Sequence, residues 1–169
     1  WNAPRSGCAS IASFRDVDRG AGSGWLNGRR GGPIRGHMST FDSKYVLIHW
    51  EAPTATVFLQ WRRAAQYAPF RDGLEAGLAQ VAEHGARRVV ADHSMLNLQE
   101  EDEAHFSKQW VPKAAKAGVQ RLAVVVPRRQ YAQIPKTRLE QRLKSGQLTL
   151  HYFDNMDEAR LWIQKEAAA

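Results

Sequence analysis

An alternation that starts at Tyr45 and runs to the C-terminus constrains this chain more than any other feature. Short β-rich runs at 45–50, 56–61, 88–92, 122–126 and 148–153 take turns with helical stretches. Amphipathic segments separate the last four runs. Strands that alternate with helices imply parallel pairing through crossover helices. The expected class is therefore α/β, a mixed β-sheet of about five strands with crossover helices. Only Ala52-Pro53-Thr54 separates the first two runs, so those two are expected to form an antiparallel pair.

The helical stretches carry their own signals. Pro69 suits a first helical turn. After it, Phe70, Leu74, Leu78 and Val81 share one stripe at helical spacing, and Gly85 stands where a helix commonly ends in a left-handed residue. The next helix opens on Glu100, Glu101, Asp102 and Glu103, whose charges favour a helix N-terminus. It turns Phe106 and Trp110 inward. Pro112 is expected to kink or restart it, before 113–117 runs to Gly118. A further helix is expected over 135–144, stopped by Gly146. Asn155 and Glu158 have the spacing of a capping box for the last helix.

A chain of 169 residues, 43% hydrophobic and 24% charged, can bury a real core. No apolar run approaches the roughly 20 residues of a membrane helix. No apolar leader is visible, and Cys8 is the only cysteine, which excludes an intrachain disulfide and a cysteine metal site. A reducing, cytoplasmic setting is the simplest expectation.

The net charge of +7 is unevenly spread. Residues 1–37 hold six arginines and two aspartates. Residues 38–169 hold 18 Lys and Arg against 15 Asp and Glu, close to the balance of an ordinary solvated surface. That near balance argues against nucleic acid as a partner of the domain. Residues 1–37 also hold eight of the thirteen glycines and little apolar periodicity, so they are expected to add nothing to a core. Three readings fit this extension: a disordered basic tail, a non-native translated stretch ahead of Met38, or a cloning scar at Gly36-His37-Met38. Residues 38–169 are expected to form a single domain.

No catalytic signature sits on this scaffold. Ser94 is not in a nucleophile elbow. Gly20-Ala21-Gly22 follows no strand, and there is no phosphate-binding glycine loop ending in lysine. His93, His105 and Glu101 match no metal-ligand spacing. No enzyme activity, cofactor or metal is therefore expected. The carboxyl end of a parallel strand is where open α/β sheets bind ligands. That rule singles out Asp92, His93 and Ser94, with Glu100, Glu101 and Glu103 nearby, as a polar binding face. Asp92 and Ser94 equally suit bonds to loop amides. Trp50, Trp61, Trp110 and Trp162 read first as core. Phe106 and Trp110 are the candidates to line an apolar pocket.

An ordered set of segments carries a resemblance. Trp61 is followed by Val-Val-Ala-Asp92, then Trp110-Val-Pro-Lys-Ala-Ala-Lys-Ala-Gly118, then Leu122-Ala-Val-Val-Val-Pro127. Phe153-Asp-Asn-Met-Asp-Glu-Ala-Arg-Leu-Trp162 closes the series. Together they are similar to the bacterial SpoIIAA-like proteins of the STAS superfamily, small stand-alone domains, over most of 45–163. The resemblance implies a mixed sheet backed by helices and a partner protein. It also implies, through a likeness to CRAL-TRIO domains, an apolar or lipid-like ligand. Anti-sigma-factor antagonists of that superfamily carry a phosphoacceptor serine in an Asp-Ser-Ser/Thr-Gly stretch at a helix start. The matching stretch here, Leu98-Gln-Glu-Glu-Asp-Glu103, has no serine, threonine or glycine. The resemblance thus implies a non-catalytic interaction or regulatory domain without that switch, its helix start acidic and only roughly like a phosphorylated one.

Overall fold

Why the chain forms one sheet is clearest at its centre. Strands β3 (Thr56–Trp61), β4 (Arg88–Asp92) and β5 (Arg121–Val125) are almost entirely apolar inside. Such runs suit parallel strands covered on both faces. The computed structural model of the chain describes residues 37–143 and 147–165. It pairs β3 with β4, β4 with β5, and β5 with β7 (Thr149–Phe153), all parallel. β2 (Val46–Glu51) lies antiparallel to β3, joined through a 3-10 turn at Ala52–Thr54. The expected antiparallel pair is thereby present.

Two further strands bring the sheet to seven, in the order β1-β2-β3-β4-β5-β7-β6. The expectation of about five strands missed both edges. β1 (His37–Asp42) pairs antiparallel with β2, through a register shift between Ser39 and Phe41. His37, assigned above to the extension, therefore belongs to the sheet. β6 is the three-residue strand Glu140–Arg142, antiparallel to β7. Its short, charged sequence suits an edge that must not pair with other chains. The rest of the expected extension, residues 1–36, lies outside the described residues. The described residues fall within one compact unit.

Helix α1 (Ala68–His84) packs on one face of the sheet, with Phe70, Leu74 and Val81 fully buried. Each buried side chain of this kind contributes roughly 1.5–3 kcal/mol at most. Leu78 is only half-buried. Gly85 ends the helix at φ 61°, its N–H bonded to Val81 O, as the sequence implies. Two glycines inside α1 permit its close approach. A Cβ at Gly73 would stand 2.4 Å from Trp61 Cη2, and one at Gly77 2.4 Å from Leu59 Cδ2.

The segment from 100 to 116 is one helical rod in three parts. α2 (Glu100–His105) passes into a π turn at Phe106–Trp110 and then α3 (Val111–Lys116). The Val111 N–H bonds back to Phe106 O, five residues away. Pro112 has no N–H to give and its ring crowds the preceding turn, so the wider π turn absorbs what the sequence reads as a kink.

Helix α6 (Met156–Gln164) covers the opposite face, over Phe58, Val90, Ala123, Val125 and Phe153. Asn155 Oδ1 accepts from the Glu158 N–H at 2.9 Å, the expected N-cap. Arg121 lies 4.0 Å from the Trp162 ring centroid, and Arg160 4.4 Å from that of Phe58. The helix expected over 135–144 is not formed. In its region the chain makes two single turns, α4 (Arg128–Tyr131) and α5 (Lys136–Leu139), then enters β6. No described helix is long and apolar enough to cross a membrane.

Candidate functional site

The crossover from β5 to β7 explains where a site can arise. A parallel crossover normally carries a helix long enough to cover the strands it joins. Here the covering pieces are two four-residue turns and a three-residue edge strand. They leave the sheet under them incompletely filled. The result is a cavity of about 700 Å³, within the range of small-molecule sites. Val124, Val126, Leu150 and Tyr152 form its floor on β5, β7 and the residues just beyond. Phe106, Ser107, Val111 and Pro112 form a wall from the π turn and α3. Residues of 128–143, among them Gln130, Ile134, Arg138 and Leu143, form the lid.

The π turn shapes the wall. It sets Phe106 against the cavity and Trp110 against α1, their rings stacked 5.3 Å apart. Ser107 Oγ donates to Glu103 O at 2.8 Å, a bond that helps bend a helix. π turns recur at functional positions for this reason: one extra residue re-aims a side chain.

His93 lines the cavity from the carboxyl end of β4. Its backbone N–H continues the ladder to Val125 O at 2.8 Å, and the residue is 3% exposed. Its ring meets the edges or faces of Phe106 at 4.9 Å and Phe70 at 5.9 Å. Burial pushes its pKa down to about 3, so the imidazole is neutral near neutral pH. Its Nε2 has no hydrogen-bond partner among the described residues. A buried polar atom without a partner carries a penalty of about 1–3 kcal/mol. Tyr152 adds a phenol whose pKa is raised by burial and then by the charge of Glu103. Its hydroxyl keeps its proton and can donate.

The other residues singled out in the sequence separate. Asp92 turns its carboxylate back to accept the Ser94 N–H at 3.0 Å, an Asx turn that spends it on the loop. Ser94 is exposed. Glu100 and Glu101 are exposed as well, away from the cavity lining. Glu103 reaches the cavity and accepts from Gln130 Nε2 at 3.1 Å, linking α2 to the lid. Asp102, one of the four acids at the start of α2, turns away from its exposed neighbours. It is fully buried, accepts the Tyr67 N–H at 2.8 Å, and stands 3.7 Å from Arg71 Nε. It thereby holds Tyr67 in a positive-φ conformation, φ 55°, at the start of α1.

Trp110 takes the core place read first for it in the sequence, and its alternative as a pocket residue is overturned. It does not line the cavity; it is fully buried and its Nε1–H donates to Leu74 O at 2.7 Å. A carbonyl of α1 draws the indole into the core, because a buried N–H needs a partner. Sequence reasoning missed the whole lid. Its only signal was the Pro127–Pro135 spacing, which shortens any helix between them. Among the described residues, no group of three or more His, Cys, Asp or Glu side chains is placed to hold a metal ion.

No family model matches the chain, and no curated protein matches it. Among solved structures, the fold is similar to that of the anti-sigma factor antagonist SpoIIAA in its unphosphorylated form, with 10% sequence identity and a TM-score of 0.41, covering 74% of this chain and 94% of that one.

Proposed function

We propose that this domain is a non-catalytic binding module that holds a small, largely apolar molecule in the cavity between the sheet and the 128–143 lid. One observation carries the reading: a cavity of about 700 Å³ whose apolar wall and floor include a buried imidazole with an unpartnered nitrogen. Apolar surface facing convergent polar groups, here the floor and wall against the lid, is the chemistry of a small-molecule site. A ligand hydroxyl or amide meeting His93 Nε2 removes the penalty that atom otherwise carries.

Ser107 is an exposed residue on the cavity wall, so Ser107→Trp fills the space without touching the core. The neutral dye Nile red should bind the native chain saturably, and the variant at least about tenfold more weakly, a difference of 1.4 kcal/mol. Dye binding that ignores Ser107→Trp would place the apolar site elsewhere and end this reading.

A second reading, an interaction domain that captures a basic protein partner, rests on a different face. Tyr67 and Met95 are 54% and 57% exposed. Their loops are joined by Gln66 Nε2 donating to Asn97 O at 3.0 Å. Exposed Glu100 and Glu101 follow in the same stretch as Met95. Exposed aromatic and thioether groups beside carboxylates suit an apolar, cationic surface.

A further inference from the structure

The charges on the lid define the ligand more narrowly. Residues 128–143 contain five arginines or lysines and one glutamate. Two of those cations, Arg138 and Arg142, line the cavity, against the single carboxylate of Glu103 on the opposite wall. The Glu103 carboxylate is already bonded to Gln130. Arg138 is exposed and has no carboxylate within ion-pair distance among the described residues. A guanidinium without a carboxylate, at the rim of an apolar cavity, is matched to an anion carried on an apolar body. Three amides, of Gln130, Gln133 and Gln141, stand on the same lid. Gln130 Nε2 already donates to Glu103 and Gln141 Nε2 to the Arg138 carbonyl, so Gln133 is the amide best placed to share the remaining lone pairs of such a head group.

Resting on the cavity reading above, we infer that the ligand is an anionic amphiphile, a carboxylate or phosphate on an aliphatic chain. Its head group is held by Arg138 on the lid. Its chain lies along Phe106, Val111 and Leu150. Both arginines and all three glutamines of the lining lie on the lid, whereas the floor strands and the π-turn wall supply most of the apolar contact, interrupted by His93, Glu103 and Ser107. This division matches one end and one body of a single molecule. A neutral apolar ligand leaves the cationic lid without a role. A small inorganic anion leaves the apolar floor without one.

The test uses the full chain, titrated by calorimetry with dodecanoate, dodecyl phosphate and dodecanol. The native chain should bind one or both anions about tenfold more tightly than the alcohol. Arg138→Gln should lower anion affinity by roughly fivefold to tenfold and leave dodecanol unchanged, since a single exposed charge is removed from a contact that solvent partly screens. Equal affinity for anion and alcohol, with Arg138→Gln altering neither, overturns the inference and leaves the cavity reading standing. Failure of all three to bind, together with dye binding insensitive to Ser107→Trp, removes the cavity reading itself. Sedimentation with phosphatidylglycerol vesicles, without binding of any free amphiphile, overturns the inference in favour of a membrane-surface contact.

Discussion

His93 places a titratable ring where charge is least tolerated. In the unfolded chain the imidazole titrates near 6.5, and in the fold burial lowers it to about 3. Between those values the unfolded state binds the extra proton. Stability therefore falls as pH drops from 6.5 towards 3, by up to about 1.4 kcal/mol per pH unit from this residue alone. Above 6.5 the ring is neutral in both states and contributes no pH dependence. Urea unfolding at pH 7 and pH 4.5 checks this. The native chain should lose about 2–3 kcal/mol more than His93→Gln over that interval. Other titrating groups are common to both chains and cancel in the comparison. Identical losses would mean that the ring reaches water in the folded state. On the proposed ligand-binding reading the same burial would serve binding, because a neutral imidazole can meet a ligand hydroxyl without a counter-ion.

Among the elements, α1 shows how a rule of local propensity yields to packing. Gly73→Ala adds a better helix former, worth about 1 kcal/mol in an exposed helix. Here the new methyl would meet the Trp61 ring at 2.4 Å and Val46 Cγ1 at 3.1 Å. Trp61 is 1% exposed and tilted against Phe70 at 5.2 Å, so its ring has nowhere to move. The variant should be less stable by about 1–3 kcal/mol, the usual cost of overpacking. A denaturation midpoint at or above that of the native chain would show that α1 can lift from the sheet at little cost. The same contrast explains what was legible. β3, β4 and β5 announce themselves because strands buried on both faces are continuous apolar runs. The Phe70–Leu74–Val81 stripe does so because one side of α1 must face them. β1 and β6 have one open edge each and carry polar or charged residues, so no alternation marks them. α4 and α5 are too short to show a period. Phe106 was legible as a cavity residue by type and spacing. The lid opposite it was not, because its position follows from pairing between β6 and β7, which are distant from Phe106 in the chain. Trp110 fitted both core and pocket in the sequence, because an aromatic one turn from Phe106 can face either way. The Leu74 carbonyl, 36 residues off, decides the direction.

At the scale of the whole molecule the sheet has to end somewhere, and its two edges are protected differently. β6 is short and charged at one side. At the other, β1 shields β2, whose sequence Val-Leu-Ile-His-Trp-Glu would be a long and largely apolar edge if bare. Such an edge offers unpaired N–H and C=O groups to other chains. The side-chain link between β1 and its surroundings is modest: Asp42 pairs with Arg62 at 2.8 Å, but both groups are about half exposed, and pairs of that kind contribute little. The value of β1 therefore lies in its backbone pairs with β2 from His37 to Asp42. Two shortened chains separate these roles. Among the described residues, one beginning at Met38 loses only the His37–Glu51 pair, and one beginning at Ser43 loses the strand. The second should melt several degrees below the first, at about 2–4 °C for each kcal/mol of lost pairing. It should also form concentration-dependent aggregates that the first does not, because the bare β2 edge accepts strands from neighbouring molecules. Light scattering and a thermal scan on both chains test the point. If the two melt together and remain monodisperse, β1 is a passenger on the sheet rather than its guard.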